Sequence, residues 1–89
     1  MKKLKVAVVG AGFVAQKRHI PAFLRLRNHV SLCAVCDLNI ELAKNVASKF
    51  NITNTYSNLS EMLSKENPDI VDVCVPPKAH ASVAVEAMK

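Results

Sequence analysis

Tryptophan is absent from these 89 residues, tyrosine occurs once and phenylalanine three times. The four rings, Phe13, Phe23, Phe50 and Tyr56, are not interleaved with basic residues, and no nucleic-acid-binding motif is present. Lys and Arg number 12 against 7 Asp and Glu, a net charge of +5. Seven of the basic residues (Lys2, Lys3, Lys5, Lys17, Arg18, Arg25, Arg27) fall in the first third, spread over a strand end and a helix. They read as solvated surface, and no nucleic-acid partner is expected. No apolar run approaches the ~20 residues of a membrane span, so no membrane partner is expected either. Met1-Lys2-Lys3 followed by apolar residues imitates a signal peptide. Glycines interrupt the apolar stretch, no small-x-small cleavage site follows, and Lys17 and Arg18 come at once, so a cytoplasmic location is expected. There is no low-complexity stretch. With 51% hydrophobic residues the chain suits one small domain, burying about 60–65% of the surface its unfolded form exposes.

Cysteine is sparse, with Cys33, Cys36 and Cys74. Cys33-Ala34-Val35-Cys36 has C-x-x-C spacing, which elsewhere suggests redox chemistry or zinc. In a regular strand, residues three apart point to opposite faces, so these sulfurs are expected to diverge. Cys74 brings no obvious further ligand. Buried, unreactive thiols and no metal site are the expectation, in keeping with a reducing compartment.

Glycine occurs only twice, and both copies lie in one loop. The apolar run at residues 6–9 leads directly into Gly10-Ala11-Gly12-Phe13-Val14-Ala15, a G-x-G-x-x-A placed where a strand turns into a helix. The first glycine permits the tight turn, and the second lets backbone approach a pyrophosphate. A small third residue, here Ala15, lets helix and strand pack closely. Backbone N–H groups at Phe13 and Val14 then face outward at a helix start, where the dipole also favours an anion. A second apolar run, residues 30–36, ends in Asp37, 22 residues past Ala15. That is where a nucleotide fold places a carboxylate for the adenosine ribose hydroxyls. Gly10, Gly12, Phe13, Val14, Ala15 and Asp37 are therefore the candidate cofactor-binding residues at this end, with NAD as the ligand. NAD is expected over NADP because Asp37 would repel a 2′-phosphate and Leu38-Asn39 supplies no arginine.

Strands and helices alternate along the rest of the chain. Residues 4–9 form the first strand, and a helix after Gly12 runs to about Arg27, with Pro21 forcing a kink or restart near Ile20. Residues 30–36 form the second strand. Asn39 caps a helix whose Leu42, Ala43, Val46, Ala47 and Phe50 make one stripe, ending near Asn51. A short edge strand at 54–56 follows. Ser57 or Asn58 caps a brief helix, with Glu61 placed for a capping box and Asn67-Pro68 as its stop. Residues 69–75 form the fourth strand, and Pro76-Pro77 ends it and opens a last helix. This βαβαβαβα order gives an α/β, three-layer Rossmann-type parallel sheet with strands in the order 3-2-1-4, an incomplete dinucleotide-binding fold. Its ligand crevice is expected between the first and fourth strands, where the Gly10 loop meets residues 75–78. Strand four reads as a central strand left at an edge, so association through it or through the last helix into a homo-oligomer is expected.

V-A-V-V-G-A-G-F-V-A, then His19-Ile20-Pro21-Ala22, C-D-L, Tyr56-Ser57-Asn58 and V-C-V-P-P-K-A-H at 73–80, together resemble the glucose-fructose oxidoreductase, inositol dehydrogenase and related sugar dehydrogenase family over the whole chain. The resemblance implies a nicotinamide-dependent oxidoreductase moving hydride between NAD and a sugar, polyol or related hydroxyl compound. Residues 1–89 would be the N-terminal part of its Rossmann domain, with a substrate-binding catalytic domain outside them. It implies that Asp37 and Leu38 border the adenosine ribose and that Pro76, Pro77 and His80 lie at the far side of the cofactor. The family's usual Thr-Pro-Asn is replaced by Pro76-Pro77-Lys78, which changes the polar contacts open to the nicotinamide ribose. The family's Glu-Lys-Pro lysine and further acid-base groups lie beyond these residues. No catalytic residue is expected among the 89, and the chain by itself is expected to be inactive. His80, at a helix start beside the crevice, can serve as acid or base or be structural. His19 and His29 show no partner in the sequence. A non-catalytic dinucleotide-binding or sensing module is the alternative function. Coenzyme A is disfavoured because Asp37 would meet its ribose phosphate.

Overall fold

Val6, Ala7, Val8 and Val9 have no polar face to offer water, and the strand that contains them, β1 (Leu4–Val9), is covered on both sides as that pattern requires. The computed structural model describes residues 3–74. Within them β2 (Val30–Cys36), β3 (Asn54–Tyr56) and β4 (Ile70–Val73) join β1 in one parallel sheet of order β3-β2-β1-β4. That is the predicted order. Val6 to Val9 stand opposite Ile70 to Val73, and the backbone N–H of Cys74 continues the ladder to the Val9 carbonyl at 2.7 Å.

Helix ends follow local chemistry. Asn39 caps α2 (Ile40–Phe50) by accepting from the Leu42 N–H at 3.2 Å, and Asn58 caps α3 (Leu59–Glu66) by accepting from the Glu61 N–H at 2.8 Å. Both helices close on an asparagine in the left-handed region, Asn51 at φ 58° and Asn67 at φ 46°. Asparagine tolerates that conformation better than other side chains. The first helix takes up Pro21 less simply. Helical backbone begins at Phe13, widens into a π turn over Ala15–His19, and tightens into α1 (Ile20–Arg25). The Ile20 N–H reaches back to the Ala15 carbonyl, one residue further than an α-helix would. The widened turn relieves the clash that the Pro21 ring would make with the preceding turn. The predicted kink or restart near Ile20 thus takes the form of a π turn without a break, and the helix ends at Arg25, two residues early.

Two cores flank the sheet. Val8, Ala11, Ala15, Ile20, Val35, Ala43, Val46, Ala47 and Ile52 fill the face under α1 and α2. Ala7, Val9, Ala34, Cys36 and Met62 fill the face under α3. The pairing of β1 with β2 slips by one residue, because Val6 faces Leu32 while Ala7 faces Ala34. Cys33 is the extra residue of a β-bulge, and it packs on the same face as Cys36. The strict alternation expected of C-x-x-C is therefore wrong here, since the bulge cancels one step of the alternation and puts both side chains under α3. Cys33, Cys36 and Cys74 are all thiols, and burial raises the Cys33 thiol above its ordinary pKa.

Glu66 is a nearly buried carboxylate beside this second core, and its Oε2 accepts from the Tyr56 hydroxyl at 2.5 Å. The Lys5 ammonium donates to the Glu66 carbonyl, so the end of α3 is tied both to the edge strand β3 and to the central strand β1. The hydrogen bond to Glu66 is the main reason that the Tyr56 phenol rises from 10.0 to about 12. The unfolded chain loses this proton near 10.0, while the folded chain keeps it until about 12. The stabilisation is therefore complete below pH 10 and disappears as pH rises through that window. Urea midpoints measured from neutral pH through this window should fall steeply in the native chain and more shallowly in Tyr56→Phe; parallel curves would remove Tyr56 from the account.

Candidate functional site

The carboxyl ends of β1 and β2 and the first turn after Gly12 form one construction. Gly10 has φ 98°, a backbone region that side-chain-bearing residues rarely adopt, and its N–H is held by the Cys36 carbonyl at 2.7 Å. Gly12 differs. An added Cβ there would meet nothing within 4 Å, so neither packing nor backbone strain within the described residues demands a glycine. Open space over a loop at a helix start is what a pyrophosphate needs. The first α-helical hydrogen bond runs from the Gln16 N–H to the Gly12 carbonyl at 3.1 Å, so the Phe13, Val14 and Ala15 amides precede any intrahelical acceptor.

Ala15 is fully buried against the sheet, as its role in close packing predicts. Phe13 is 71% and Leu38 94% exposed, and Val14 is also exposed. Three apolar residues in water around one glycine loop constitute an apolar rim suited to a ligand with flat, partly apolar rings. Gln16 fixes the loop from the other side, donating to the Ala11 carbonyl at 3.1 Å and accepting from Lys49 at 3.5 Å.

Asp37 follows β2 and is held at the predicted end of the sheet. Its Oδ2 accepts from the Ala11 N–H and its Oδ1 from the Asn39 N–H, each at 2.8 Å, and its own N–H donates to the Tyr56 carbonyl at 3.0 Å. The carboxylate therefore braces the glycine loop, a role the sequence did not disclose. Each oxygen keeps further acceptor capacity for hydroxyls of a ligand. Gly10, Gly12, Phe13, Val14, Ala15, Asp37 and Leu38 thus lie in one contiguous region. Pro76, Pro77 and His80, like the last helix, lie outside the described residues.

A cluster that the sequence reading missed stands at the end of β4. His19, for which no partner was visible, places Nδ1 2.6 Å from Asp72 Oδ2, and Cys74 Sγ lies 3.1 Å from both atoms. Burial, then the hydrogen bond and charge of Asp72, push the Cys74 thiol well above its ordinary range. The i, i+2 spacing of Asp72 and Cys74 on one strand face was a readable signal. That His19 would meet them depends on the π turn, which was not.

The sequence matches the model of an oxidoreductase family with an NAD-binding Rossmann fold over residues 4–89. It is 35% identical over 86 residues to D-glucoside 3-dehydrogenase of Escherichia coli K12, covering 97% of this chain and 24% of that protein. It is 29% identical to D-apiose dehydrogenase of Paraburkholderia graminis, covering 93% and 22%. Among solved structures, the WlbA dehydrogenase of Bordetella pertussis in complex with NADH and UDP-GlcNAcA superposes with a TM-score of 0.87 at 28% identity, over 96% of this chain and 26% of that one. The chain spans about a quarter of the length of these relatives. No helix among the described residues is long and apolar enough to cross a membrane. With the sheet order, the glycine loop and the family match in agreement, the chain belongs to the oxidoreductase family built on an NAD-binding Rossmann fold.

Proposed function

We propose that residues 1–89 are the N-terminal part of a dinucleotide-binding domain that holds NAD for an oxidoreductase acting on a CH–OH group of a sugar, polyol or related compound. The open space above Gly12 carries this reading, since within the described residues it has no structural purpose. Gly10 shapes the turn, while Gly12 and the Phe13, Val14 and Ala15 amides receive the pyrophosphate. Asp37 accepts from the adenosine ribose, which Leu38 also borders. Pro76, Pro77 and His80 border the nicotinamide side. When bound, NAD supplies the carbon that accepts or donates hydride. The chain's own contribution is binding and orientation. The first-named relatives act on glucosides and apiose, which supports the substrate class. Association into a homo-oligomer and a cytoplasmic setting belong to the same proposal.

Calorimetric titration of the purified chain should show NAD binding more tightly than NADP. In Asp37→Ser and in the near-isosteric Asp37→Asn the preference should vanish, because the 2′-phosphate no longer meets a carboxylate. Tighter binding of NADP by the unaltered chain would overturn the role of Asp37. The same preparation, mixed with NAD and a polyol, should produce no NADH absorbance, since positioning a cofactor without an acid-base group does not complete hydride transfer.

A further inference from the structure

His19 Nδ1, Asp72 Oδ2 and Cys74 Sγ form a triangle with sides of 2.6, 3.1 and 3.1 Å. At most two hydrogens serve its three edges. Asp72 Oδ2 can accept from the imidazole N–H and from the thiol, but the sulfur and the ring nitrogen then face each other with only a weak acceptor between them. A cation at one point would satisfy all three. We propose that this cluster is a zinc site, with an imidazole, a carboxylate and a thiolate as ligands and water in the fourth position.

The donor set selects the ion. Thiolate with imidazole favours zinc over magnesium or calcium, and three protein ligands with one open position is a recurrent zinc arrangement. The triangle is small enough for one point off its plane to lie within zinc bond lengths, about 2.0–2.3 Å, of all three atoms. Tetrahedral angles at such lengths require ligand separations of about 3.3–3.6 Å, so the side chains spread by roughly half an ångström. Two of them have room to do so, with the side chains of His19 and Asp72 35% and 19% exposed. That exposure also gives the ion its way in. On binding, the Cys74 proton passes to solvent, as a thiolate ligand requires. The ion would link the π turn Ala15–His19 directly to the end of β4.

The site is separate from the dinucleotide reading and is tested without NAD. Cobalt(II) added to the metal-free purified chain should give a thiolate-to-cobalt charge-transfer band that saturates at one equivalent and is bleached by zinc. Cys74→Ser should lose the band, and Cys33→Ser and Cys36→Ser should keep it. Asp72→Asn, which conserves shape and should fold even if Cys74→Ser does not, should weaken cobalt binding by roughly a hundredfold, no less than loss of an outer-sphere partner does. Far-UV circular dichroism of each metal-free variant checks folding. An absent band in the unaltered chain, a band that survives Cys74→Ser, unaltered affinity in Asp72→Asn, or a band lost in Cys33→Ser, which would move the metal to the paired cysteines of β2, each overturns the proposal.

Discussion

Replacing Gly12 by valine should abolish NAD binding and leave the fold standing. An added Cβ at this position meets no atom within 4 Å, so the variant has no clash to relieve inside the described structure. The valine methyls would instead fill the space directly over the first turn, where the Phe13, Val14 and Ala15 amides await an anion. Affinity should fall by at least about a hundredfold, equivalent to ~2.7 kcal/mol. The thermal midpoint should move little. Gly10 provides the contrast. Its φ of 98° is costly for any L side chain, so Gly10→Ala should lose stability as well as affinity, by about 1–3 kcal/mol. Calorimetry with NAD, beside thermal unfolding of both variants, separates the two glycines. A folded Gly12→Val chain that binds NAD as before would remove the pyrophosphate from this loop.

What could be read in the sequence was what depends on neighbours along the chain. Asn39 and Asn58 cap helices because their side chains reach an N–H three residues on, and the adjacent residues are enough to show it. Apolar runs broken by asparagine and proline likewise marked four strands and, through the alternation of strand and helix, their order in the sheet. The glycine loop and Asp37 were legible as one unit because the crossover between β1 and β2 has a regular length. Three features were not legible, and each has a physical reason. The bulge at Cys33 is a property of the β1–β2 pair, decided by how both strands fit their neighbours, and it reversed the facing of one cysteine. The π turn resolves a clash at Pro21 that could equally have ended the helix. The His19 contacts to Asp72 and Cys74 bridge 53 and 55 residues, so they exist only once the sheet has closed and the π turn has set the phase of the helix.

Ile20→Ala should be among the most destabilising single changes in the chain. Ile20 is fully buried and heads the largest such side chains, in a core face whose other buried residues are valines, alanines and Ile52. Small neighbours on a rigid sheet collapse poorly into a void, so the cost should lie at the upper part of the about 2–5 kcal/mol range for such truncations. A domain of this size has roughly 4–13 kcal/mol in all. The thermal midpoint should drop by roughly 15–40 °C, while Ile20→Val, which removes one methyl group, costs about 0.5–1.5 kcal/mol. The effect extends to function because Ile20 is the first residue after the π turn and, with Ala15, seats the helix whose start carries the phosphate-binding amides. Met62 is equally buried, but it packs from α3 onto the opposite face of the sheet. Met62→Ala should therefore cost comparable stability while its folded fraction binds NAD as tightly as the unaltered chain, whereas the folded fraction of Ile20→Ala should bind more weakly. Equal NAD affinity in the folded fractions of both variants would show that the first core face supports the loop no more than the second does.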